Sequence, residues 1–158
     1  MRPEILADLL AHPDFPEGAC WQRRGFAANE AIVREGQFDQ TLYVIEQGTA
    51  QVYCEVSLDE ERHVRPGIWE LKPGDLVGEL SLFDDRPRAA SVFATSEGRL
   101  LAIDGQRLRQ FLDSHPDIGY PVLKELFLLL VDRLRKANHR LESVFAWGLR
   151  AHGIDRHL

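Results

Sequence analysis

Val77–Ala94 reads VGELSLFDDRPRAASVFA. Gly78 and Glu79 open a short apolar turn, Leu80-Ser81-Leu82, and nine residues after Glu79 stands Arg88, set between Pro87 and the pair Ala89-Ala90. An arginine offers a planar fork of donors suited to an oxyanion. Backbone N–H groups at a helix start favour negative charge. A glycine lets the main chain come close to whatever is bound. Glu79 and Arg88 therefore sit beside backbone that can cradle an anion. The same two residues have a plainer reading, an internal Glu79–Arg88 ion pair in a domain that binds nothing.

The spacing resembles the phosphate-binding cassette of the cyclic nucleotide-binding domain family, which includes regulatory subunits of cAMP-dependent kinase, cyclic nucleotide-gated channels and bacterial catabolite-activator-type regulators. The match falls on Gly78, Glu79, Leu80, Ser81, Leu82, Arg88, Ala89, Ala90 and Val92. The resemblance implies that Arg88 and the N–H groups of Ser81 and Ala89 take the phosphate, while Glu79 accepts the ribose 2′-hydroxyl. It also implies a base preference. Members that favour cGMP often carry Thr after the cassette arginine, and Ala89 has no hydroxyl, so cAMP is expected to bind better than cGMP.

Upstream, Ile32-Val33-Arg34-Glu35-Gly36-Gln37, then Leu42-Tyr43-Val44-Ile45 and Gly48, resemble the family's second signature, and Leu71-Lys72-Pro73-Gly74-Asp75 resembles the turn leading into the cassette. One position departs. Asp39 stands where the family usually has a small residue, and the departure is expected to touch the local turn and not the pocket. The resemblance covers roughly Phe15 to Phe145.

The remaining chain supports a small globular protein. Its 158 residues suit one domain spanning 1–158, with 44% apolar and 28% charged residues. The longest apolar run, Leu126–Val131, is too short to span a membrane, and MRPEILADLL does not read as a secretory signal. Cys20 and Cys54 form neither a disulfide framework nor a metal motif, so a reducing, cytoplasmic setting is the expectation. Pro3–Ala11 reads as a helix with Ile5, Leu6, Leu9 and Leu10 on one side. From about 19 to 104, short strands alternate with turn glycines, the rhythm of an antiparallel β-roll or jelly roll. These strands include Ala31–Val33, Leu42–Ile45, Ala50–Tyr53 and Leu100–Ile103. Helices are expected over about 105–148: a short one at Gln106–Leu112, then a long one from about Pro121 to about Trp147. The fold class is thus α+β, a β-roll with an N-terminal helix and C-terminal helices.

The long helix carries Leu123, Phe127, Leu130, Leu134, Ala137, Leu141 and Val144 at alternating spacings of four and three, a coiled-coil seam. Val122, Leu126 and Leu129 form a second apolar face in its early turns, which can pack on the roll. Past Leu134 the seam needs another partner, and a homodimer paired through this helix is expected. The resemblance further implies that a residue of this helix meets the adenine. Asn138 is the candidate because its amide both donates and accepts, with Trp147 as a stacking alternative.

Gly148–Leu158 is too short for the winged helix-turn-helix that follows in the family's transcription factors, and a net charge of −6 opposes a nucleic-acid partner. No metal is expected. His12, His63, His115, His139, His152 and His157 are scattered without a His-x-His pair, and Cys20 alone does not make an iron–sulfur site. No spacing suggests a catalytic triad. The expectation is a non-enzymatic sensor that binds cAMP, and cGMP less well, and signals to an effector protein by moving its C-terminal helix. It would contact neither nucleic acid nor membrane. The alternative is a ligand-free scaffold of the same fold that pairs through that helix.

Overall fold

The computed structural model describes residues 1–57, 63–64 and 66–151. His152 and His157 lie outside them. Two compact units are distinguished, Met1–Val122 and Leu123–Leu158.

The first unit begins with helix α1, Pro3–Ala11, which has the expected bounds and buries Leu9. Among the described residues ten strands follow: β1 Trp21–Phe26, β2 Ala31–Val33, β3 Leu42–Gln47, β4 Ala50–Tyr53, β5 Val56–Ser57, β6 His63–Val64, β7 Gly67–Leu71, β8 Leu76–Val77, β9 Ser91–Ala94 and β10 Gly98–Ile103. Two four-stranded antiparallel sheets, ordered β1-β10-β3-β8 and β2-β9-β4-β7, make the roll, and β5 pairs with β6. Their shared interior holds Phe26, Ile32, Val33, Ile45, Ala50, Val52, Leu71, Val92, Ala94 and Leu100. Side chains alternate across a strand, so Leu100 enters this interior while its neighbour Leu101 points the other way. Leu101 is buried as well, so β10 is covered on both faces. The expected roll is present.

Helix α2 runs over Gly105–Ser114, started by the Asp104 carboxylate, which accepts from the Arg107 N–H at 2.8 Å. The long helix, α3, spans Pro116–Ala151 and not the expected Pro121–Trp147. Pro116 takes the first helical position, where a missing N–H costs nothing. Pro121 lies inside the helix and forgoes one bond. The earlier start depends on Gly119: a Cβ there would stand 2.6 Å from the Leu112 carbonyl oxygen, so only glycine lets this turn lie so close to α2. Gly119 N–H donates to the His115 carbonyl at 2.7 Å, within the first turn.

Histidines that are scattered in sequence partly converge here. The His12 and His115 rings lie 4.5 Å apart, centroid to centroid, with Asp14 bonded to His115 Nε2 at 3.0 Å. This grouping joins residues a hundred positions apart, which no local pattern announces. Among the described residues no helix is long and apolar enough to cross a membrane.

In the second unit, Leu134, Ala137, Leu141 and Val144 of the seam are exposed, as are Phe127, Phe145 and Trp147. Leu126, from the other apolar face, is buried, as is Val122, the last residue of the first unit. Asp132 and Lys136, one turn apart, form an ion pair at 2.6 Å on the polar side.

Candidate functional site

The strand β8 ends at Val77, and the chain turns at Gly78 with φ of +99°. A Cβ at Gly78 would come within 2.6 Å of both the Arg88 Nη1 and the Thr41 carbonyl oxygen. Two reasons therefore require glycine: the backbone conformation and the closeness of Arg88. Glu79 follows as the residue before a single 3-10 turn, Leu80–Leu82, whose Leu82 N–H donates to the Glu79 carbonyl at 3.2 Å. Leu80 and Ala89 are exposed, whereas Ser81 is buried.

Glu79 is 5% exposed and Arg88 4%. Charged side chains are seldom buried this far unless they are partnered or have a task. Arg88 is fastened at its backbone first. Its N–H donates to the Gln37 carbonyl at 2.8 Å, and its own carbonyl accepts from Gly36 N–H at 2.9 Å. This ties the cassette to the turn of the second signature and carries the guanidinium into the protein. There Nη2 donates to Asp39 Oδ2 at 2.6 Å and to the Thr41 carbonyl at 2.5 Å, while Nη1 reaches the Gly78 carbonyl only at 3.5 Å. The guanidinium also lies 5.9 Å from the Tyr43 ring centre. Its Nε is buried and has no hydrogen-bond partner among the described residues.

Asp39 is the residue whose importance the sequence reading missed. Expected to affect only its turn, it reaches the cassette arginine across 49 positions of sequence. Its Oδ1 accepts from the Thr41 N–H at 2.9 Å and from the Thr41 hydroxyl at 2.7 Å. Partial burial disfavours the charged carboxylate, but the bonds from Arg88 and Thr41 outweigh it and hold the Asp39 pKa below the usual value. Burial, and then the Asp39 charge, push the Tyr43 phenol up, so the ring next to the arginine stays neutral. The ion pair of Arg88 is thus made with Asp39, and the one signal for it was an acid where a small residue was expected. A second unforeseen contact is the Cys54 thiol, which donates to the Ala89 carbonyl at 3.6 Å.

A cavity of about 390 Å³ opens beside the loop and is lined by Phe38, Asp39, Gln40, Thr41, Asp85 and Arg86, together with Asp104 and Gln106. Neither Glu79 nor Arg88 lines it, so we place the candidate site on the buried cassette groups and not on this cavity. Gly78, Glu79, Leu80, Ser81, Arg88 and Ala89 come together in the first unit; Asn138, exposed on α3, belongs to the second.

The family model of the cyclic nucleotide-binding domain matches residues 23–115, from β1 to the end of α2. The chain belongs to the cyclic nucleotide-binding domain family. The matched residues include the whole cassette and both signature turns, while Asn138 and the seam lie beyond them. Among relatives of this cyclic nucleotide-binding domain is the CRP-like cAMP-activated global transcriptional regulator of Mycobacterium tuberculosis. It is 28% identical over 147 residues, covering 91% of this chain and 57% of that protein. The cyclic AMP receptor protein of Thermus thermophilus is 30% identical over 122 residues, covering 77% and 53%. The crystal structure of the Thermus thermophilus catabolite activator protein superposes with a TM-score of 0.69 at 26% identity, covering 91% of this chain and 60% of that one. The chain therefore spans little more than half the length of these relatives.

Proposed function

We propose that the chain is a cAMP-preferring receptor that binds without catalysis, dimerises through α3 and signals to an effector protein by moving that helix. The observation that carries this reading is Arg88. A guanidinium this buried, with an orphaned Nε, packed against a glycine whose place no residue with a Cβ could take, and with the buried Glu79 next in the chain after that glycine, suits an incoming phosphate with a hydroxyl-bearing neighbour. In this reading Arg88, Ser81 and Ala89 take the phosphate, Gly78 and Leu80 shape the turn around it, Glu79 accepts the ribose hydroxyl, and Asn138 meets the base. Ala89 has no hydroxyl for a guanine amino group, and relatives named for cAMP support the choice of nucleotide. The exposed Leu134, Leu141 and Val144 support pairing between two copies.

The test is calorimetry on nucleotide-stripped protein with cAMP and cGMP. Wild type binds cAMP more tightly than cGMP. Hydrogen bonds to charged groups contribute roughly 1.5–3 kcal/mol, so Arg88→Ala weakens cAMP binding about tenfold to a few hundredfold with the fold intact. A wild type that ignores both nucleotides at millimolar concentration ends the proposal. That outcome would favour the second reading, a scaffold without ligand, which the internal Asp39–Arg88 pair also suits.

A further inference from the structure

We infer that Asp39 is a built-in competitor for the ligand of this site, a carboxylate that occupies Arg88 until an incoming phosphate displaces it. The inference rests on the reading of the cassette as a phosphate site and adds a determinant of its affinity. A phosphodiester and a carboxylate both carry one negative charge and seek the same donor fork. Asp39 shares the best-placed donor, Nη2, at 2.6 Å with the Thr41 carbonyl at 2.5 Å, while Nε has no partner among the described residues and Nη1 a poor one.

Three features make this a latch and not a passing surface contact. Thr41 holds the carboxylate with both its N–H and its hydroxyl, so the competing anion is preset in orientation. The two backbone bonds between Arg88 and Gly36-Gln37 hold Asp39's loop at a fixed distance from the guanidinium. The two partners differ sharply in exposure, with Arg88 4% and Asp39 35% exposed at the side chain. A displaced carboxylate can thus turn to water, whereas the arginine cannot leave. A phosphate entering on Nε and Nη1 without displacing Asp39 would still meet a second negative charge on the same guanidinium. Both routes make Asp39 a cost to binding.

The experiment compares cAMP binding to the nucleotide-stripped full chain in wild type, Asp39→Ala and Asp39→Asn, with thermal unfolding of each. Asn keeps the shape and an acceptor for Thr41 while removing the charge, which safeguards the test against a loop that fails to form in the Ala variant. Both variants should bind cAMP more tightly, by about tenfold if the lost competitor is one charge-assisted hydrogen bond. In an Arg88→Ala background the gain from the Asp39 substitutions should shrink to the small effect of like-charge repulsion, because the contested group is gone; an undiminished gain overturns the latch. Unchanged or weaker binding in folded Asp39→Asn overturns the latch and makes Asp39 a positioning residue for Arg88, while the cassette reading stands. Failure of wild type and both variants to bind either nucleotide overturns the cassette reading and the latch with it.

Discussion

Leu100 and Leu134 are the same residue in two regions with opposite fates. Leu100 sits on β10 with no exposed surface, between two sheets that share one interior. Leu134 sits on α3, 62% exposed, in a row with Leu141 and Val144. The two sheets bury their facing apolar residues in one shared interior, although Phe38, Leu80 and Phe83 in the connecting segments stay exposed. A single helix has no second layer to offer. Its regular apolar stripe is either hidden by a partner or left in water, where contiguous apolar surface marks an interaction site. The contrast separates a unit that buries its core within itself from a helix whose apolar stripe stays exposed.

The sharpest way to break that contrast is Leu141→Glu. If a second copy covers the seam, the new charge is buried without a partner, which is strongly unfavourable. Sedimentation should then show a dimeric wild type and a monomeric variant, both with a folded roll by circular dichroism. A wild type that stays monomeric at tens of micromolar removes the need for the pairing.

Paired truncations sharpen the same comparison. Leu100→Ala leaves a cavity between the sheets and should cost about 2–5 kcal/mol in chemical denaturation. Leu134→Ala should leave the roll's stability within about 0.5 kcal/mol, as exposed substitutions do, and show its effect in dimer dissociation. Equal losses of roll stability from both substitutions would mean that the two regions do not differ in the way their exposure indicates.

Hydrogen exchange gives the finest test, because it asks whether the roll and the helix communicate. With cAMP added, amides of Gly78–Val92 should slow, and those of Arg133–Trp147 should slow with them if the helix closes on the nucleotide. Protection limited to the cassette would keep the binding reading and discard helix movement as the signal.

Much of the molecule was legible along the chain because its cues are local. The bounds of α1 follow from a proline near its start and apolar residues at helical spacing. Strands β2 and β4 follow from short apolar runs between turns, and β10 was recovered over its final four residues. The cassette was legible because its glycine, carboxylate, arginine and alanines lie within one short segment. The start of α3 was not, since Pro116 and Pro121 both suit a first turn. The choice between them depends on Gly119 fitting against the Leu112 carbonyl, a contact between helices.

The sequence by itself determined the family, the roll, the cassette motif and the regular apolar stripe of the long helix, because each is written in residue types at fixed spacing. Only the tertiary structure decided what holds the cassette arginine. Asp39 and Arg88 are brought together when the Gly36-Gln37 turn bonds to the Arg88 backbone, and that pairing depends on a closed roll. Bonds between distant segments obey no local period, so an acid that looked like a departure in one turn becomes, on folding, the ion-pair partner of the cassette arginine.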